Sequence, residues 1–275
     1  MKMEKYSVLM SVYKKEKPEF LRLALVSMAE QTVPPDEIIL IEDGPLTDEL
    51  YKVIADFSAE HQELFRTVVN EKNLGLGPSL NKGVKECRNE LVARMDTDDI
   101  AFPDRCEKQL AFFESHPDIS VLGGQIEEFE SDPAEVVCMR VVPESDEEIK
   151  KFMRSRNPMN HMTVMFKKSD VISVGSYRDM LWNEDYDLWI RLAHNNFKLA
   201  NLPEPIVHAR IGDGMYDRRG GLKYFKKEME IQKLLREYDM ISFTKFAVNY
   251  AERFIIAGLL PGKVRAWVYK KFARK

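Results

Sequence analysis

Cysteine is scarce in this chain, and the few present follow no pattern. Three stand among 275 residues, Cys87, Cys106 and Cys138. An odd number at no metal-ligand spacing argues against a disulfide-stapled fold and a zinc site. It reads as small, partly buried thiols in a reducing compartment. Long apolar runs are lacking as well. The longest, Phe254 to Leu260, spans seven residues, far short of the roughly 20 that cross a bilayer. The opening MKMEKYSVLM has neither a long apolar core nor a small-residue cleavage site, so no signal peptide is expected. Phosphate-binding glycine loops are missing too. No GxxxxGK precedes a Ser or Thr, and no GxGxxG follows the first predicted strand. Gly75-Leu76-Gly77 opens a helix only after the third strand, where a flexible turn is the simpler reading. These gaps point away from P-loop ATP chemistry and from nicotinamide cofactors.

What is present is ordinary in amount and uneven in placement. Apolar residues make up 44% and charged residues 31%, a globular composition. The length allows one large domain or two smaller ones. Residues 216–275 hold 15 Lys and Arg against 6 Asp and Glu, a net charge of +9. The whole chain is at −4, so residues 1–215 carry −13. An acidic body with a basic extension argues against a general nucleic-acid binder. The natural division is a body over 1–215 and a basic helical extension over 216–275 packed on it.

Hydrophobic periodicity alternates along the first half. Strands are predicted over Tyr6–Tyr13, Glu37–Glu42, Phe65–Val69 and Leu91–Met95. Helices are predicted over Pro18–Gln31, Thr47–Glu63, Pro78–Arg88 and Pro103–Ser115. Strand and helix in turn at this pitch imply a mostly parallel sheet with helices on both faces. Farther on, strands are expected over Ile119–Gly123, Glu135–Val142 and Thr163–Phe166. Ser145 and Glu148 form a capping box for a helix to Arg154. Trp182–Asn195 reads as a helix or a turn leading into one. Only helices are expected beyond Tyr216, at about 219–237, 241–258 and 263–273.

In an open parallel sheet, ligands bind beyond the carboxyl ends of the strands. Three predicted ends carry Ser11-Val12-Tyr13, Glu42-Asp43-Gly44 and Asp96-Thr97-Asp98-Asp99. Together they would line one rim with an aromatic ring and several carboxylates. Crowded carboxylates repel one another unless a cation sits among them. Oxygen ligands favour a hard ion, Mg²⁺ or Mn²⁺. The plainer alternative is a turn in which Asp98 or Asp99 caps the next helix. A second acidic group, Glu184-Asp185-Tyr186-Asp187, runs into a helix. Two or three acids there compete for one cap, which frees one to face a cleft as a general base. Trp189 lies among apolar neighbours and reads as core. Trp182 precedes the acids and is the better sugar-stacking candidate. His161, and likewise His208, reads first as a hydrogen-bonded structural residue. Met159, Met162 and Met165 read as core filler.

Assembled in order, these pieces resemble the family 2 glycosyltransferases. They are SVLMSVYKKEKPEFLRLALVSMAEQT, IILIEDGP, NLGLGPSLNKGV, RMDTDDIAFPDR, NEDYDLWIRL and ARIGDGMYDRRGG. The closest likeness is to the bacterial enzymes that build capsules, O-antigens and exopolysaccharides, and it covers about residues 5–220. The resemblance implies the GT-A fold, a Rossmann-like α/β mixed sheet flanked by helices that binds nucleotide-diphospho-sugars. It implies a UDP-sugar donor, of a hexose or N-acetylhexosamine, and a Mn²⁺ or Mg²⁺ ion. Tyr13 would stack on the base, Asp43 would bond a base nitrogen and Asp96 would contact ribose. Asp98, the second acid of the DxD motif, would hold the metal. Asp185 would be the catalytic base of an inverting transfer. Arg210, with Arg218 or Arg219, would approach the diphosphate. Trp182, Glu184 and His161 remain candidates for the acceptor side. Two positions depart from the family pattern. Glu42 stands where an Asp is common, and Ile211 and Gly212 stand where many members carry a His.

The acceptor implied is a glycan or a lipid-linked saccharide at the cytoplasmic face of the membrane. The extension fits that setting. Val264, Trp267, Val268 and Phe272 share one helical stripe. Lys263, Arg265, Lys270, Lys271, Arg274 and Lys275 flank it, with no acid after Glu252. Such a helix can lie in an anionic interface, or pack its stripe on protein. Two rival functions share the fold. A sugar nucleotidyltransferase would need a glycine-rich basic loop where Tyr13-Lys14-Lys15-Glu16 stands. A non-catalytic nucleotide- or carbohydrate-binding protein would be expected to have lost the acids.

Overall fold

A computed structural model describes residues 4–212 and 221–255. The predicted alternation holds through the first half. It runs β1 (Tyr6–Val12), α1 (Pro18–Ala29), β2 (Glu37–Asp43), α2 (Asp48–Glu60), β3 (Phe65–Asn70), α3 (Leu76–Glu86) and β4 (Leu91–Arg94). After a two-residue strand β5 (Ile100–Ala101) come α4 (Arg105–Ser115), β6 (Ile119–Phe129), β7 (Val136–Arg140) and α5 (Asp146–Met153). A single 3₁₀ turn (His161–Thr163) leads to β8 (Met165–Lys167), α6 (Lys168–Ser173), α7 (Glu184–His194) and β9 (Lys198–Arg210). Helices α8 (Gly221–Glu237) and α9 (Phe243–Arg253) complete the described chain.

The strands form one mixed sheet in the order β3-β2-β1-β4-β8-β6-β9-β5, with β7 also paired to β6. The first four in that order are parallel. β8 is antiparallel to both β4 and β6, and β9 runs parallel to β6. β1 and β2 are apolar almost throughout because helices cover both faces of the sheet. Side chains alternate between two cores, as the pleat requires. Val8, Met10 and Val12 face α1, α2 and α4, through Leu25, Phe57 and Phe113. Leu9, Ile39 and Ile41 face α3, α5 and α7, through Leu80, Ile149 and Trp189. Trp189, Met159 and Met165 are buried as core, and Met162 is partly buried against it.

The second half holds more strand than the sequence pattern suggests. β9 has no counterpart among the predicted elements, and β6 continues six residues past Gly123. Pro203 and Pro205 interrupt the β9 segment, and proline normally marks an edge or a bulge. Here the β6–β9 ladder shifts register around Gln125, which pairs with Pro205. The Gln125 amide repairs the break by donating to the carbonyls of Leu202 (2.9 Å) and Val142 (3.1 Å). Gly123 allows the close approach, because a Cβ there would lie 2.3 Å from Asn201 Oδ1.

α8 packs on the second core through Ile231 and Leu235, and α9 rests against it through the partly buried Phe246. Asn249 of α9 donates to the Arg154 carbonyl (2.8 Å) and Arg253 to that of Ser155 (2.5 Å). No helix among the described residues is long and apolar enough to cross a membrane. The predicted helix over 263–273, with its apolar stripe and the basic residues flanking it, lies outside the described residues, as do Arg218 and Arg219.

Candidate active site

The strand order brings the expected acids to one end of the sheet. β4 ends at Arg94, and the chain turns through Asp96–Asp99 into β5. One carboxylate oxygen from each of Asp96, Asp98 and Asp99 lies within 4.8 Å of the others. The loop is held from four sides. The buried Arg94 guanidinium grips Asp96 through both its terminal nitrogens, Nη1 at 2.6 Å from Oδ2. The Arg105 guanidinium, wholly buried, donates to the Arg94 carbonyl at 2.7 Å. Asp99 accepts the Arg210 backbone N–H at 2.7 Å, and Thr97 Oγ1 donates to Glu16 of the β1–α1 loop at 2.6 Å. Burial, then the charges of Asp96 and Glu16, push Asp98 up to about 7. Burial, then Asp98 and Asp96, push Asp99 well above the usual carboxylate range. A backbone hydrogen bond and then the Arg94 charge act against this rise at Asp98. Three hard oxygen donors held in that condition suit a divalent cation.

Neighbouring strand ends supply the other expected groups in differing states. Tyr13 is exposed after β1, with 41% of its surface open. Asp43 ends β2 but points into protein. Its Oδ1 accepts from Leu74 N (2.7 Å) and Asn70 Nδ2 (3.2 Å). Its Oδ2 accepts from Asn73 Nδ2 (2.9 Å) and Gly75 N (3.0 Å). The base contact implied by the resemblance therefore competes with four protein donors that bind the loop before α3. Arg210, at the end of β9, is clamped between Phe20 (3.8 Å from the ring centre) and Phe129 (4.4 Å). Its Nε donates to the Asp98 carbonyl at 3.1 Å.

The second acidic group opens α7, which enters from the far core. Glu184 and Asp185 fill its first turn, where an anion is favoured by the helix dipole. Asp185 Oδ1 accepts the Tyr186 N–H (2.7 Å) and Oδ2 accepts Asn157 Nδ2 (2.6 Å). Burial raises Asp185, against the pull of Asn157, Tyr186 N–H, Arg94 and Arg140. Glu184 is pushed up to about 7 by burial and then by Asp185. Gly77 of α3 lets this turn come close, since a Cβ there would stand 2.1 Å from the Arg178 carbonyl oxygen and 3.2 Å from Glu184 Cβ. Trp182 precedes the turn in a left-handed conformation (φ 70°), with Lys223 5.5 Å above its half-open ring. His161 pairs with the Tyr177 hydroxyl at 2.9 Å, and burial followed by the Arg94 charge holds its imidazole well below its ordinary pKa. His208 stacks on Phe102 and faces Glu127 at 3.2 Å.

Arg94 and Asn157 are the residues that sequence reasoning passed over. Arg94 had a signal, a lone cation ending an otherwise apolar strand. Asn157 had none beyond standing before a proline.

A family model described as glycosyl transferase family 2 matches residues 7–187. The chain belongs to this family. An uncharacterized glycosyltransferase of Haemophilus influenzae is 44% identical over 98% of this chain and 100% of its own. The amylovoran biosynthesis glycosyltransferase AmsE of Erwinia amylovora is 41% identical over 97% and 98%. The Escherichia coli UDP-Gal:alpha-D-GlcNAc-diphosphoundecaprenol beta-1,3-galactosyltransferase is 38% identical over 98% and 97%. The protein is thus a glycosyltransferase whose relatives serve bacterial polysaccharide synthesis. Among solved structures, Staphylococcus aureus TarS 1-349 with UDP-GlcNAc superposes with a TM-score of 0.68, at 17% identity, over 92% of this chain and 73% of that one. The Pyrobaculum calidifontis mannosyltransferase PcManGT with GDP-Man and Mn²⁺ gives 0.66, at 13% identity, over 99% and 81%. These likenesses establish the GT-A fold expected from the sequence.

Proposed function

We propose that this glycosyltransferase moves one sugar, with inversion, from a UDP-hexose or UDP-N-acetylhexosamine to a hydroxyl of a glycan or lipid-linked saccharide. The observation that carries the reading is the pairing of two acid groups around one buried cation. Arg94 grips Asp96 of the cluster Asp96, Asp98 and Asp99, and Glu184 and Asp185 feel its charge. The first group fits a Mn²⁺ or Mg²⁺ ion, with Asp98 as the main ligand. Bound there, the ion would supply charge stabilisation for a departing diphosphate. Asp185 takes the acceptor proton as the hydroxyl attacks, a role worth typically 10²–10⁴-fold. Tyr13 stacks on the base, while Asp43 sets the wall beside it through the loop it binds. Asp96 meets the ribose. Arg210, with Arg218 and Arg219, serves the diphosphate, and Trp182, Glu184 and His161 border the acceptor.

Three relatives support this reading. The E. coli relative is named for a UDP-Gal donor and a diphosphoundecaprenol-linked acceptor. TarS is bound to UDP-GlcNAc, and the mannosyltransferase to GDP-Man with Mn²⁺. Residues 216–275 form the basic extension to the 1–215 body and bring the enzyme to an anionic membrane on its cytoplasmic face.

Thermal stabilisation by UDP, GDP, CDP and dTDP, each with and without Mn²⁺, tests the reading, because a ligand of the native state raises the melting temperature. UDP with Mn²⁺ should stabilise the parent and Asp185→Asn, and Asp98→Ala should lose the metal dependence. Asp185→Asn should also lose most turnover. Stabilisation by GDP alone would overturn the donor class, and normal turnover in Asp185→Asn would overturn the base.

A further inference from the structure

Asp185 receives two hydrogen bonds of unlike origin. The Tyr186 N–H comes from its own helical turn. The Asn157 amide comes from the segment between α5 and the 3₁₀ turn, 28 residues earlier in the chain. That segment is itself anchored. Asn157 Oδ1 accepts the Met159 N–H at 3.3 Å, and its carbonyl accepts Arg140 Nη2 at 3.2 Å. Just before it, the carbonyls of Arg154 and Ser155 are held by Asn249 and Arg253 of α9. A donor fixed at both ends can fix what it binds.

We propose that Asn157 is the positioning residue for Asp185: its amide sets the rotation of the carboxylate and leaves each oxygen a lone pair for an acceptor hydroxyl. The inference rests on Asp185 as the general base. A neutral amide suits the task, since a cation in its place would lower the basicity that proton abstraction needs. The charged and titratable groups around Asp185 are Arg94 on β4, Arg140 on β7 and Glu184 on α7, with Tyr177 and Tyr186 close by. Burial favours the protonated acid and the Asn157 bond opposes it. Loss of the bond therefore carries the acid limb of the kcat profile to higher pH.

Two variants separate this role from a structural one. Asn157→Asp keeps the acceptor for Met159 N–H and replaces the donor. Asn157→Ala removes both. Turnover should fall about 10²-fold in Asn157→Asp, since misplacement of a reacting group by ~1 Å costs about that much. It should fall about tenfold or more in Asn157→Ala. The acid limb should move upward in both, while UDP–Mn²⁺ stabilisation and donor KM stay at parent values. Unchanged kcat and acid limb in both variants, beside an inactive Asp185→Asn, would overturn the role of Asn157 alone. A fall in kcat with lost UDP stabilisation and no shift of the limb would also overturn it, as plain structural damage. Near-normal turnover in Asp185→Asn would instead remove the base assignment on which the inference stands.

Discussion

Asp43 offers the sharpest test of how this site is built. The resemblance gives its carboxylate to a nucleobase, whereas the structure gives it to four protein donors. Two are the backbone N–H groups of Leu74 and Gly75 and two are the amides of Asn70 and Asn73. Asp43→Ala strips all four at once. The amides can turn toward other partners, but the backbone groups cannot. A hydrogen bond to a charged group contributes roughly 1.5–3 kcal/mol, so two lost without replacement cost about 3–6 kcal/mol. The lower end is the better expectation because all four donors are only partly secluded from solvent or able to relax. At about 2–4 °C per kcal/mol for a chain of this size, the melting temperature drops by about 6–12 °C. Asp43→Asn keeps the shape and one good acceptor, and should cost about half as much. Urea unfolding followed by far-UV circular dichroism measures both variants, with the slope checked against the parent. Changes below about 0.5 kcal/mol, an ordinary surface value, together with weakened UDP binding, would refute the reasoning and return Asp43 to the base.

Other expectations follow from the same geometry. Gly77→Ala places a Cβ against the Arg178 carbonyl, so it should destabilise the protein by about 1–3 kcal/mol and reduce turnover; a parent-like melting curve would contradict the close packing of α3 on the turn before α7. Asp98, Asp99 and Glu184 are pushed above their unfolded values, so the folded, metal-free protein holds protons that the unfolded chain releases near pH 4. Its stability should fall as pH rises from about 4 through about 7, and saturating Mn²⁺ should flatten that slope; a metal-free melting temperature that rises from pH 6 to 8 would reverse the sign. The full chain should float with anionic vesicles and a 1–260 truncation should float less; equal flotation would remove the membrane role of the extension.

The first half of the fold was legible because its strands are buried on both faces and read as unbroken apolar runs. Leu9, Met10 and Ile39 needed no partner to be identified. The β6–β9 seam was not legible. Gly123 and Gly124 look like a strand end, and Pro203 and Pro205 look like a loop, until the two segments lie side by side and each explains the other. The acids of the site were legible in kind but not in orientation. Periodicity places Asp43 at a strand end, yet only the fold shows its carboxylate turned toward Leu74 and Gly75. Asn157 is a residue whose meaning depends wholly on a contact 28 positions away.

Arg94 has a consequence for the order in which molecules arrive. With Arg140 acting on Asp185 and Arg210 beside Asp98, it stands among five carboxylates, those of Asp96, Asp98, Asp99, Glu184 and Asp185. A group of charges so weighted draws cations from solution and turns anions back. A diphosphate donor approaching it bare meets like charge. The same donor carrying a divalent ion arrives with most of that repulsion cancelled. On the proposed function, metal and nucleotide would then be taken up as a chelate or in that sequence, and added salt would slow the capture of the cation.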